Sequence, residues 1–266
     1  MIEPARWITE NRGEWRTAVR HAAGFLLREY RTRWTHLVPI ELNRLAASLG
    51  AKIIRVRSLP GHGRLIPADE RFVVLVDAKL GYSSFRTTVA HELAHILFFD
   101  REAKEVRRRE VLEKEEDFCF DVARHLLVPD WHLKQIRGRQ ISNVGELFSI
   151  LTEEFRVSRP VAARVMLEDY ALAEGIAGRW TKRNGEWSLD PGRAYASPSI
   201  ASEMRKELHA LAREWLASGT ETVGDYRVAG IVEQSGQSAF VVVAQTTVAT
   251  NRVVNGEDGQ QSGSLR

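Results

Sequence analysis

Between residues 84 and 99 the apolar side chains Val89, Ala90, Leu93, Ile96 and Leu97 recur every three or four positions. That repeat predicts an amphipathic helix. The first 37 residues show a looser helical pattern, with Trp7, Trp15, Phe25, Leu26, Leu27, Tyr30 and Trp34 set among many arginines. Pro39 suits a first helical turn, Leu42, Leu45, Ala46 and Leu49 share one face, and Gly50 can take the left-handed stop conformation. Residues 52–58 alternate apolar and basic side chains as a half-buried strand does, and residues 71–77 predict a second strand. Pro60-Gly61-His62-Gly63 lies between them as a turn.

Further along, the pattern predicts a long helix over 103–127, stopped by Pro129, and one from a Ser142 cap to about Phe155. Residues 156–160 interrupt it, and another helix runs to about Glu174. Residues 180–189 form a candidate hairpin around Asn184-Gly185. Residues 199–217 read as helix, and 226–232 and 239–249 as paired strands. The Gly-, Ser-, Gln- and Asn-rich tail from Asn251 is expected to be disordered.

Composition narrows the classes. The chain has 266 residues, 38 basic against 35 acidic, and a net charge of +3, so charge argues only weakly for nucleic acid. Cys119 is the only cysteine, which excludes an intramolecular disulfide and a cysteine zinc cluster and fits a reducing compartment. No run reaches the roughly 18 apolar residues of a membrane helix, and the first 20 residues lack an apolar signal core. The expectation is a cytoplasmic protein with no membrane partner.

The chemistry concentrates in His91-Glu92-Leu93-Ala94-His95. On a helix this spacing puts both imidazoles on one face, one turn apart, where they can grip a single ion. Glu92 lies roughly 100° around from His91, within reach of a water activated there. A catalytic zinc needs three protein ligands. On the predicted 103–127 helix Glu116 falls in the middle of a stripe formed by Leu112, Cys119, Ala123, Leu126 and Leu127. Glu115 lies at its edge, and Glu113, Asp117, Asp121 and Arg124 point away. A carboxylate centred on an apolar stripe needs a positive partner, either a metal or a cation such as Arg86. His125 projects from another side and reads as a surface residue.

The segments Arg86-Thr-Thr-Val-Ala-His-Glu-Leu-Ala-His-Ile-Leu97, Glu116-Asp-Phe-Cys119 and Val122-Ala-Arg-His-Leu-Leu-Val-Pro129 resemble the ImmA/IrrE metallopeptidases, over roughly residues 37–170. The resemblance implies His91, His95 and Glu116 as zinc ligands and Glu92 as general base. It implies an α+β fold: a mainly helical zincin-like core with a small β-sheet, followed by a small C-terminal α+β unit. The expected divisions are 1–37 (helical extension), 38–172 (peptidase with a C-terminal helix pair), 173–250 (α+β unit) and 251–266 (tail). Similar proteins cut helix-turn-helix repressors, so the implied partner is a DNA-binding repressor in a stress-response or mobile-element circuit. Phe118, Phe120 and His125 depart from the small or polar residues usual in the family.

Some roles stay open. His62, Tyr82 and Arg86 are candidates to stabilise an oxyanion or contact substrate, and manganese or iron could replace zinc in such a site. The rivals are a non-catalytic zinc regulator that binds DNA or a repressor, and a binding module at 175–250. Direct DNA contact would use the helix pair around 156–160 with Arg159 and Arg164.

Overall fold

The computed structural model describes residues 15–68, 71–100, 107–108, 114–139, 141, 144–169, 175–196, 200, 202–218, 222–223, 226–232 and 237–245. The fold is α+β, built as helices around a three-stranded and a five-stranded sheet, with a short two-stranded pair besides. Helices α1 (Trp15–Leu26) and α2 (Arg28–Trp34) bury Ala18, Val19, Ala22, Ala23, Leu26 and Tyr30. Of the residues that the sequence pattern marked here, Leu26, Leu27 and Tyr30 are buried, Phe25 is exposed, and Trp7 lies outside the described residues. Helix α3 (Leu42–Ser48) is closed by Gly50 at φ 65°, where a Cβ would strain the backbone. Pro39 stands before this helix rather than in its first turn, and the Val38–Pro39 peptide is cis.

Strands β1 (Ala51–Val56), β2 (Gly63–Ala68) and β3 (Arg71–Asp77) form a sheet of order β1-β3-β2, with β1 parallel and β2 antiparallel to β3. The middle strand alternates, burying Phe72, Val74 and Val76. The sequence pattern predicted β1 and β3 and passed over β2. Helix α4 (Tyr82–Ala94) packs on this sheet and tightens into a 3₁₀ turn over His95–Phe98. Two-residue strands β4 (Phe99–Asp100) and β5 (Arg107–Arg108) then pair antiparallel. The long helix expected from residue 103 therefore begins only at Glu115: α5 is Glu115–Leu127, and it packs along α4 and α1. Leu112 and Glu113 lie outside the described residues.

Helix α6 (Asp130–Arg137) follows Pro129. Helices α7 (Val144–Ser149) and α8 (Arg159–Arg164) each widen into a π-helical turn, over Ile150–Glu154 and Val165–Asp169. Pro160 sits in the first turn of α8, where its missing N–H costs nothing. Ser142 and the tail from 251 lie outside the described residues.

The second sheet has the order β7-β6-β10-β9-β8, from β6 (Gly175–Arg183), β7 (Glu186–Ala196), β8 (Thr222–Val223), β9 (Tyr226–Val232) and β10 (Ser238–Gln245). Asn184 and Gly185, at φ 51° and 85°, make the tight turn the hairpin prediction required. Along β10, Phe240, Val242 and Ala244 face the main core, where Phe240 stacks on Phe148 at 5.9 Å. Ala239, Val241 and Val243 face a second core with Trp180 and with Leu208 and Ala212 of helix α9 (Ser202–Ser218). Among the described residues no helix is long and apolar enough to cross a membrane.

A buried ionic cluster ties these elements together. Trp15 Nε1 donates to Asp121 Oδ2 at 2.7 Å, and Arg164 pairs with Asp121 at 2.7 Å and Glu168 at 2.9 Å. Arg124 pairs with Glu168 and, at 2.9 Å, with Asp169. His125 Nε2 lies 3.5 Å from Asp169 Oδ1. His125 is thus buried rather than on the surface, and Asp121 and Arg124 are buried too, because partners more than 40 residues away neutralise them. Burial, with Arg124 alongside, lowers the His125 pKa to about 4, and burial raises that of Asp169 to about 6.

The two shifts act oppositely on stability. His125 binds its proton more readily in the unfolded chain, so its contribution is lost as pH falls from 6.5 toward 4. Asp169 binds its proton more readily in the folded chain, so its contribution is lost as pH rises through 6. Asp169→Asn removes the second slope and keeps an acceptor for Arg124. Urea unfolding of this variant should lose stability more steeply than wild type between pH 6.5 and 4, by up to about 3 kcal/mol. Parallel curves for the two proteins would refute the opposed pair.

Candidate metal centre

Helix α4 enters the core with Val89, Ala90, Leu93 and Ala94 wholly buried, which fixes its rotation and sends His91, Glu92 and His95 toward the start of α5. There His91 Nε2 and His95 Nε2 stand 3.1 Å apart. Glu116 Oε2 lies 3.1 Å from His91 Nε2, and Glu116 Oε1 lies 3.5 Å from His95 Nε2. These three residues are a group that could hold a metal ion, with ligand atoms all within 4.8 Å of one another.

The donor set fits zinc. Ligand atoms at the corners of a tetrahedron with the usual Zn–N and Zn–O bonds lie about 3.3 Å apart; here His91 Nε2 stands 3.1 Å from both His95 Nε2 and Glu116 Oε2, and the other Glu116 oxygen lies 3.5 Å from His95 Nε2. Two imidazole nitrogens facing each other at 3.1 Å repel unless a proton or a cation sits between them. Burial and the neighbouring His95 lower the pKa of His91 to about 4, so near neutrality its ring offers a lone pair.

Glu116 reaches the site by a different route from the one the helical pattern implied. Its side chain is 69% exposed and approaches from the cleft side. Glu115 is the buried carboxylate of the pair, and its Oε1 lies 2.8 Å from His95 Nδ1. Arg86 does not pair with either in the described contacts; its Nη1 donates to the Ile40 carbonyl at 3.0 Å.

Glu92 is buried beside the histidines, and burial raises its pKa, while His95 and a hydrogen bond from the Leu65 backbone N–H pull it back down. The strand β2 comes close here. A Cβ on Gly63 would fall 2.5 Å from Thr88 Cγ2 and 2.8 Å from Glu92 Oε1, so only glycine lets the strand lie against the helix at this point. A cleft of about 520 Å³ results, lined by Gly63, Arg64, Leu65, His91, Glu92, His95, Phe99 and Glu116.

Of the candidate oxyanion or substrate contacts, none lines this cleft. His62 precedes β2, Tyr82 is exposed, and Arg86 is buried with its guanidinium over the Tyr82 ring. Arg64 and Leu65 do line it, and sequence reasoning missed them along with their strand. Phe120 covers His91, with ring centroids 4.0 Å apart. Phe118 is buried between Trp15 and Phe98. Arg164, one of the two arginines a DNA contact would use, is committed to Asp121 and Glu168.

No curated protein sequence matches this chain. Among solved structures, a Mycobacterium tuberculosis transcriptional regulator is similar at 12% identity and a TM-score of 0.46, over 85% of this chain and 74% of that one. A likeness so remote carries no argument about function. Residues 46–166 match the IrrE N-terminal-like domain of the Peptidase_M78 family. That span contains His91, Glu92, His95 and Glu116, and it supports the ImmA/IrrE family for this part of the chain.

Proposed function

We propose that this chain is a zinc-dependent endopeptidase that hydrolyses a peptide bond in a protein substrate. The observation that carries the reading is the meeting of His91, His95 and Glu116 at ligand spacing in a cleft, with the Glu92 carboxylate buried beside them.

His91, His95 and Glu116 would hold the zinc. Bound there, zinc supplies Lewis acidity, bringing the pKa of water toward about 7 and polarising the scissile carbonyl. The chain's own residues do the rest. Glu92 takes the proton of the attacking water and passes it to the leaving amine. Its raised pKa makes it a stronger proton acceptor than a surface glutamate. The Leu65 N–H fixes the carboxylate from behind, and Gly63 leaves room for it. Arg64 brings a guanidinium to the cleft, where it can stabilise a developing oxyanion.

The substrate we favour is a helix-turn-helix transcriptional repressor in a stress-response or mobile-element circuit, a choice that rests on the family. Manganese or iron fits the same donor set by chemistry. The single buried thiol, Cys119, suits a cytoplasmic setting.

Elemental analysis of wild type and Glu116→Ala, purified side by side, tests the ligand set. Wild type should carry near-stoichiometric metal and the variant little. A wild type that takes up no metal when zinc is supplied would overturn the enzyme reading. Glu92→Gln tests the base. It should keep its metal and cleave roughly 10²–10⁴-fold more slowly, whereas a zinc-holding regulator that cuts nothing predicts no loss of function in this variant.

A further inference from the structure

A histidine that gives one ring nitrogen to a metal needs its ring held in place. The outer torsion of the side chain is broad and roughly two-fold, so it does not fix the ring by itself. The usual solution is a hydrogen bond from the other ring nitrogen, which also sets the tautomer and raises the basicity of the ligating atom.

The two histidines here are supported in unlike ways. His95 points Nε2 at His91 and Glu116, and its Nδ1 lies 2.8 Å from Glu115 Oε1, with Cys119 Sγ at 3.5 Å. Glu115 is buried, so this contact is shielded from water and charge-assisted. His91 Nδ1 is also buried, yet among the described residues it has no hydrogen-bond partner. Its ring instead meets Phe120, with centroids 4.0 Å apart and planes tilted by 36°. Phe120 is 49% exposed. An aromatic ring left half in water on a helix otherwise so well buried gains little from its own burial, and its contact is with the ligand.

Building on the metal reading above, we propose that Glu115 and Phe120 are positioning residues, Glu115 holding His95 through a hydrogen bond and Phe120 holding His91 through ring packing. Both flank Glu116 on α5, one residue before it and one turn after it. A single stretch of helix thus supplies one ligand and braces the other two. The rings are braced unequally: the tautomer of His95 is chosen by a carboxylate, while His91 is restrained in orientation only.

The test is zinc affinity of the full chain, measured by competition with a chromophoric chelator. Glu115→Gln keeps the shape of the side chain and weakens the acceptor; it should bind zinc about 10–100-fold more weakly. Phe120→Ala, at a half-exposed position where folding is not at risk, should bind about 10-fold more weakly, and Phe120→Tyr should restore wild-type affinity. Cobalt(II) substituted into Phe120→Ala should show altered ligand-field bands, while its metal-free unfolding midpoint matches wild type. A purely structural role would move the midpoint and leave the bands alone. Equal or tighter zinc binding by Phe120→Ala and Glu115→Gln, with wild type binding normally, overturns this inference alone. A wild type that binds no zinc removes the metal reading beneath it as well.

Discussion

Imidazole nitrogens and carboxylates are costly to bury, and helices α4 and α5 bring both together at their line of contact. The wholly buried Val89, Ala90, Leu93 and Ala94 on one helix and Cys119, Val122, Ala123 and Leu126 on the other lock the pair in rotation and register. Once that packing is made, His91, His95 and Glu115 are held at the contact, and Glu116 meets the histidines from the cleft. The polar cluster is then stable only if its lone pairs and charges are balanced, by hydrogen bonds, protons or a cation. Most of the remaining architecture serves this contact: β2 closes one side, and α1 covers the back of α5.

The pentapeptide beginning at His91 was legible because it is local. Two histidines four apart on a helix share a face whatever the rest of the fold does. The Asn184-Gly185 hairpin was legible for the same reason, since backbone at positive φ leaves a mark in residue type. Strand β2 left none. It is an edge strand whose outer side chains are solvated, and Pro67 within it reads as a breaker.

Glu116 is instructive in another way. On a helix with one apolar stripe beginning at residue 103, Glu116 falls at the centre of that stripe, whereas α5 begins twelve residues later, at Glu115. The helix is instead enclosed on several sides, so the buried carboxylate is Glu115, and Glu116 meets the histidines from the cleft. Asp121, Arg124 and His125 were misplaced by the same assumption. Their burial depends on Trp15, Arg164, Glu168 and Asp169, and pairings that distant leave no periodic trace. The oxyanion candidates were drawn from nearby polar residues, whereas cleft membership is decided by which strand edge lies against α4.

Strand β10 has two dry faces: Phe240, Val242 and Ala244 look toward the helices that carry the cleft, and Ala239, Val241 and Val243 look toward α9. A sheet in that position is a party wall. A chain cut after α8 would leave Phe148 and Leu167 bare to water, so the last third of the sequence and the metal-bearing helices stand or fall as neighbours sharing one partition.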